Sequence, residues 1–283
     1  MAQSINTICV IGAGTMGSGI AQTCAQNGFY TLLFDINTGV LDKANAAIQK
    51  NLQYLLDKQK ISPAEKETIF NRIQFINDTN DCLADVVIEA IVEKLEAKVA
   101  IFNQLAEINH GEVIFASNTS SLSISDIQKH VLHPQRVVGM HFFNPAPLMK
   151  LVEVVKGNQT ADEVAAVIMD LCRQLNKVPV LCKDAPGFIV NRVARHYYLE
   201  AMKIVEQGLA TIENVDAVME ASGFKMGPFK LMDLIGMDVN LAVSQSVYEA
   251  FHKEARFAPS PLQIEKVAKG ELGKKTGKGF YQY

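Results

Sequence analysis

Short β-branched runs alternate with longer amphipathic stretches through the first two thirds of this chain. The runs are Thr7 to Ile11, Thr31 to Phe34, Arg72 to Ile76, Val86 to Ala90, Val113 to Ala116, Val137 to His141, Leu151 to Val155 and Val178 to Leu181. Consecutive parallel strands cannot be joined by a tight turn; each needs a crossover, usually a helix. The alternation therefore predicts an α/β fold with a mostly parallel sheet.

The pattern changes after Asp184-Ala185-Pro186-Gly187. From Phe188 to Lys269 the periodicity is helical throughout. Ala194, Tyr198, Ala201, Met202 and Val205 form one apolar face; Leu241, Ser244, Val247, Tyr248 and Phe251 form another. Residues 1–185 are thus expected to be one domain, and residues 186–283 an all-α second domain. The tail from Gly273 to Tyr283 has loop composition. One insertion interrupts the first domain, a helical hairpin over 39–72 expected to stand off the sheet. Leu41, Ala44, Ile48, Leu52 and Leu55 make its first stripe. Ser62-Pro63-Ala64-Glu65 opens its second helix with a capping box and a proline in the first turn.

The first strand runs straight into Gly12-Ala13-Gly14-Thr15-Met16-Gly17, which opens a helix, and Asp35 ends the second strand. A G-x-G-x-x-G alone is a weak signal. Placed at strand–turn–helix, with an acid roughly twenty residues on, it matches the dinucleotide fingerprint of a Rossmann-like domain. Gly12 permits the tight turn, Gly14 lets backbone approach a pyrophosphate, and Gly17 lets helix and strand pack. The helix N-terminus offers unpaired N–H groups to the phosphates. Asp35 would accept the ribose hydroxyls and repel a 2′-phosphate, and Ile36 and Asn37 supply no cation to receive one. The expected cofactor is NAD rather than NADP.

Composition narrows the function classes. The 27 Lys and Arg against 30 Asp and Glu give a net charge of −3, which argues against a nucleic-acid binder. No apolar run approaches the length of a membrane span. A strand that starts almost at once leaves little room for a targeting peptide. Five cysteines without a Cys-x-x-Cys pair suggest a reducing compartment and no zinc site. A cytoplasmic protein that holds no metal is expected.

Of six histidines, His110, His130, His133, His196 and His252 fall at helix ends, connections or helical stretches. His141 ends a strand, and in open α/β sheets the carboxyl ends of strands border the ligand crevice. Pro145-Ala146-Pro147 then reverses the chain into Lys150-Leu151-Val152-Glu153-Val154-Val155. Antiparallel pairing about position 147 sets His141 directly opposite Glu153. A glutamate in an apolar strand requires a partner, and a carboxylate on an imidazole fixes its tautomer and raises its basicity. That pair suits a general base for an alcohol proton. A buried structural ion pair is the bland alternative.

At these residues the chain resembles the 3-hydroxyacyl-CoA dehydrogenase family, in particular its short bacterial 3-hydroxybutyryl-CoA type. The resemblance runs through residues 12–21, 93–98, 117–122, 141–145, 150–154, 186–192 and 275–281. His-Phe-Phe-Asn-Pro at 141–145 and Pro-Gly-Phe-Ile-Val-Asn-Arg at 186–192 are its most specific motifs. It implies that His141 is the catalytic base and Glu153 its orienting partner. It implies that Ser120 binds near the reacting oxygen, the nicotinamide and the substrate, and that Asn191 hydrogen-bonds the acyl part. Glu93, Lys98, Asn144 and Lys275 would touch the cofactor, together with Gly12, Ala13, Gly14, Thr15, Met16 and Gly17. In the family the hairpin helps hold coenzyme A. Lys58 matches a CoA-contacting lysine, and Asn51 falls where relatives can carry a serine. The implied partners are an acyl-CoA substrate and a second copy, bound through the helical domain.

Two other classes compete. A β-hydroxyacid dehydrogenase of the 6-phosphogluconate type shares the glycine motif but uses a catalytic lysine, and the His141/Glu153 pair argues against it. A redox-silent NAD-binding relative would have no need to retain Ser120, His141, Glu153 and Asn191 together. The ribose argument predicts that Asp35→Ala weakens NAD binding more than NADP binding. Equal losses in a fluorescence titration of both cofactors would remove that argument.

Overall fold

The computed structural model describes residues 5–283. The chain divides into two compact units, one ending at Ala185 and the other running from Pro186 to Tyr283.

The first unit is an eight-stranded sheet. In chain order its strands are β1 (Thr7–Ile11), β2 (Tyr30–Phe34), β3 (Ile73–Ile76), β4 (Val86–Glu89), β5 (Ile114–Ser117), β6 (Val137–Phe142), β7 (Leu151–Lys156) and β8 (Val178–Lys183). Across the sheet the order is β3-β2-β1-β4-β5-β6-β7-β8. Strands β1 to β6 run parallel to their neighbours, β7 pairs antiparallel with β6, and β8 runs parallel to β7. The strand order reverses between β1 and β4, the position where open α/β sheets leave a crevice at the strands' carboxyl ends. The interior strands read as continuous apolar runs because helices cover them; all six residues of β6 are buried. Strand β8 lies at the edge, and Val178, Val180 and Leu181 on it are exposed.

Helix α1 (Thr15–Gln26) packs Ile20, Ala21, Cys24 and Ala25 into the core. The hairpin consists of α2 (Thr38–Asp57) and α3 (Pro63–Asn71). Asn37 caps α2 by accepting the Gly39 N–H. The capping box of α3 is complete: Ser62 Oγ accepts the Glu65 N–H at 3.2 Å and Glu65 Oε2 accepts the Ser62 N–H at 2.7 Å. The expectation that the hairpin stands off the sheet needs correction. Leu41, Ala44, Ile48 and Leu52 are buried in the same core as α1. Their stripe is wide enough that leaving it in water would forfeit roughly 1.5–3 kcal/mol for each large side chain. Helices α4 (Leu95–Ile108), α5 (Ile124–Gln128) and α6 (Asp162–Gln174) complete the unit.

The second unit is helical: α7 (Val190–Glu206), α8 (Ile212–Ala221), α9 (Pro228–Ile235), α10 (Met237–Ala250) and α11 (Pro261–Ala268). Tyr198, Leu199, Ala201 and Met202 of α7 pack with Phe229, Met232 and Met237. The tail, which reads as loop in the sequence, is pinned. The buried Asp233 carboxylate accepts the Phe280 and Tyr281 N–H groups at 2.9 Å, and Tyr283 Oη donates to it at 3.1 Å. Buried Asp216 accepts the Phe229 N–H and the Tyr281 hydroxyl. Among the described residues no helix is long and apolar enough to cross a membrane.

Candidate active site

The carboxyl ends of β1, β4, β5 and β6 lie along one edge of the sheet, and the candidate residues of the first unit gather there. At β1 the chain turns at Gly12, whose φ of 95° suits glycine. A Cβ at Gly12 would meet the Ala90 carbonyl oxygen at 2.8 Å, and one at Gly17 would lie 1.7 Å from the Gly12 oxygen. Both glycines are therefore fixed by packing within the protein. Gly14 differs: a Cβ there would meet nothing within 4 Å, so the space above it is open. Gly14 caps α1 with no side-chain bond, and no acid sits in the first turn. Thr15, Met16 and Gly17 thus begin a helix whose N-terminal end is positive and available to a phosphate. Asp35 Oδ2 accepts the Ala13 N–H and Oδ1 accepts the Asn37 N–H, each at 2.9 Å. Ala13 accordingly orients the carboxylate, and among the described residues no cation hydrogen-bonds or pairs with it. These residues fit a dinucleotide with free ribose hydroxyls.

Beyond β4 and β5 lies a charge network that is buried at Glu89 and Lys98 and reaches the surface at Glu93. Glu89, which ends β4, is fully buried. Its Oε1 takes Lys98 Nζ at 2.6 Å and the Ile91 N–H at 2.7 Å, and its Oε2 takes the Ser117 hydroxyl at 2.7 Å. Lys98 is only 1% exposed and also lies 3.1 Å from Glu93 Oε2. Burial alone would raise the Glu93 carboxyl, but Lys98 and the hydroxyls of Thr119 and Ser121 outweigh it and hold the group below the ordinary carboxylate value. Glu93 Oε1 accepts four donors: Thr119 Oγ1 at 2.5 Å, the Ser120 N–H at 3.0 Å, the Ser121 N–H at 3.1 Å and Ser121 Oγ at 2.9 Å. Asn118, two residues before Ser120, accepts the Phe142 N–H with Oδ1 at 2.9 Å. The Ser120 loop is thereby tied to the strand that carries His141.

At β6 and β7 the register pairs Gly139 with Val155 and His141 with Glu153, the pairing expected from a reversal about position 147. His141 Nδ1 lies 2.8 Å from Glu153 Oε2. His141 is 6% exposed and Glu153 is 1% exposed. The Phe143 ring sits 4.5 Å from the imidazole, centroid to centroid. A carboxylate accepts and cannot donate, so Nδ1 carries the hydrogen, whichever state Nε2 is in. Asn144 follows on the exposed turn.

The remaining candidates belong to the hairpin and to the second unit. Asn51, on the hairpin, donates to Gln22 Oε1 at 3.1 Å. Lys58, also there, is exposed, with Nζ 5.7 Å from the Tyr54 ring centroid. Asn191 and Lys275 belong to the second unit. Asn191 is in the first turn of α7, where its carbonyl accepts from Arg195 Nε at 3.3 Å. Burial pushes the Arg195 guanidinium down to about 10. Lys275 is exposed and pairs with Asp238.

Sequence reasoning missed Glu89 and Asn118. Glu89 had a usable signal, the same one that exposed Glu153: a lone acid closing an apolar strand. Asn118 had none, because its partner is a backbone group on another strand.

Comparison with known proteins gives the same family as these motifs. The model described as "3-hydroxyacyl-CoA dehydrogenase, NAD binding domain" matches residues 7–185, and that described as "3-hydroxyacyl-CoA dehydrogenase, C-terminal domain" matches residues 187–283. The chain belongs to the 3-hydroxyacyl-CoA dehydrogenase family. It is 46% identical to a 3-hydroxyadipyl-CoA dehydrogenase of Escherichia coli over 99% of its own length, but spans only 59% of that protein. It is 42% identical to a probable 3-hydroxybutyryl-CoA dehydrogenase of Deinococcus radiodurans, covering 97% of this chain and 99% of the relative. Among solved structures, the (S)-3-hydroxybutyryl-CoA dehydrogenase PaaH1 of Ralstonia eutropha superposes with a TM-score of 0.94 at 40% identity, covering 99% of each chain. The first unit is this family's NAD-binding domain.

Proposed function

We infer that this chain is an NAD-dependent dehydrogenase that reversibly oxidises an (S)-3-hydroxyacyl-CoA to the 3-ketoacyl-CoA, with the four-carbon 3-hydroxybutyryl-CoA as substrate. The observation that carries this reading is the buried His141–Glu153 pair, set beside a phosphate-binding glycine turn in a chain of this family.

His141 is the base. With Nδ1 facing Glu153, Nε2 is the ring atom assigned to take the C3 hydroxyl proton. Positive charge then develops on the imidazole, 2.8 Å from a carboxylate in a site shielded from water. Attraction there is far stronger than between the same charges in solvent. When bound, NAD accepts the hydride that leaves C3. Gly12 to Gly17 and Asp35 hold its pyrophosphate and adenosine ribose. Ser120 takes its contact with the reacting oxygen on family resemblance, on a loop whose Ser120 N–H is held by Glu93. In the reductive direction the imidazolium returns the proton to the ketone oxygen. Asn191, Asn144, Lys275, Lys58 and Asn51 take their substrate and cofactor contacts on family resemblance.

The four-carbon preference is supported by the names of the Deinococcus and Ralstonia relatives, and the Escherichia coli relative's name favours an adipyl chain instead. The enzyme is further proposed to act in the cytoplasm as a homodimer through the helical unit. Exposed Val193, Leu234 and Val239 on that unit support this; sedimentation as a single chain at assay concentrations would reject it.

NADH absorbance tests the activity. Acetoacetyl-CoA should be reduced faster than free acetoacetate and faster than 3-oxoadipyl-CoA. His141→Ala should lower turnover about 10²–10⁴-fold. Wild-type-like turnover in that variant would refute the assignment of the base.

A further inference from the structure

The β6–β7 ladder closes at Phe142 and Val152, and the reversal from Phe143 to Lys150 lies beyond it. A connection of that length does not set a strand register as a tight hairpin turn does. Within the reversal the Pro145 carbonyl accepts the Leu148 and Met149 N–H groups. Against it lies Lys177, which is 7% exposed. Lys177 Nζ donates to the Ala146 carbonyl at 2.5 Å and to the Met149 carbonyl at 2.9 Å. Ala146 belongs to the arm that leaves His141, and Met149 to the arm that leads to Glu153. One ammonium thus spans the reversal. Among the described residues no acid pairs with it, and burial and the nearby Lys150 both work against its charge. A buried cation is costly. An apolar side chain would avoid that cost but leave both carbonyls without this donor.

We propose that Lys177 is a positioning residue that staples the two arms of the reversal and so keeps His141 opposite Glu153. Its own backbone is fixed. The Lys177 N–H donates to the Cys172 carbonyl where α6 ends, and the Val178 N–H donates to the Lys150 carbonyl where β8 begins. The reversal also abuts α1: a Cβ at Gly19 would lie 3.2 Å from Pro147 Cδ and 3.3 Å from Ala146 Cβ. The arms are therefore referenced to α1, α6 and β8 together, and the ladder inherits that placement. Such placement matters because a displacement of about 1 Å at a reacting group can cost on the order of 10²-fold in rate.

The proposal rests on His141 acting as the dehydrogenase reading has it, so its test has two independent arms built on Lys177→Met, which keeps the stem and drops the ammonium. In the first arm, with no substrate or cofactor present, nitrogen NMR follows the His141 ring. The shift that Glu153 imposes on the Nδ1 hydrogen should shrink in the variant. An unchanged shift would overturn the staple whether or not the protein is a dehydrogenase. In the second arm, turnover is compared with that of Asn109→Ala. Asn109 likewise donates to two carbonyls, of Cys82 and Leu105, but at the amino ends of the strands, away from His141. Lys177→Met should lower kcat about 10- to 100-fold at a temperature well below both melting midpoints. Asn109→Ala should keep kcat within about twofold. A Lys177→Met loss no greater than that of Asn109→Ala would reduce Lys177 to a structural cap and overturn the proposal. Should Lys177→Met fail to fold, Lys177→Gln serves both arms. It keeps donors on a shorter side chain, so its NMR shift and its kcat should both fall measurably below wild type; wild-type values for both would overturn the staple. An inactive wild type whose His141 shift still depends on Lys177 would fault the dehydrogenase reading and leave the staple standing.

Discussion

A carboxylate buried in the middle of an apolar strand is tolerated only with a partner, and Glu153 has one partner that can also do chemistry. Its β7 position is set by the antiparallel register with β6. Slipping that register by one residue would turn Glu153 and His141 toward opposite faces, leaving a naked charge in the core. The electrostatic need of the acid and the strand pairing thus enforce each other. The imidazole inherits a fixed orientation from both.

The same device recurs along the sheet's carboxyl edge. Asp35 follows β2 with backbone amides on both oxygens; Glu89 closes β4 on Lys98 and Ser117; Glu93 gathers the loop after β5. Each acid is spent on holding a neighbouring segment. Parallel strands bring these segments to one edge, and the acids convert loose loop ends into a rigid rim. The second unit uses acids in a similar way, with Asp233 and Asp216 holding the aromatic tail.

Much of this was legible in the sequence where the signal is local or periodic. Strand runs, the glycine turn, the Ser62/Glu65 capping box and the β6–β7 register all follow from spacing alone. The hairpin's placement was not, because a buried stripe such as Leu41, Ala44 and Ile48 does not state which helix covers it. Asp233 looks like any helical acid until the chain returns to it 47 residues later at Phe280. Lys98 enters the sequence reading only as a cofactor contact implied by the family resemblance; the fold shows it enclosed between Glu89 and Glu93. Pairing across long stretches of chain leaves no trace in a single sequence unless a repeat or a rule such as strand alternation carries it.

The central claim is that Glu153 holds the His141 imidazole with hydrogen on Nδ1. Nitrogen NMR of protein labelled at the histidine rings, with His141→Gln used to assign the signal, reads that tautomer directly. The account predicts a His141 ring with Nδ1 protonated, its hydrogen shifted by a charged acceptor, and loss of that shift in Glu153→Gln. A His141 signal protonated on Nε2 instead, or one indifferent to Glu153, would contradict it.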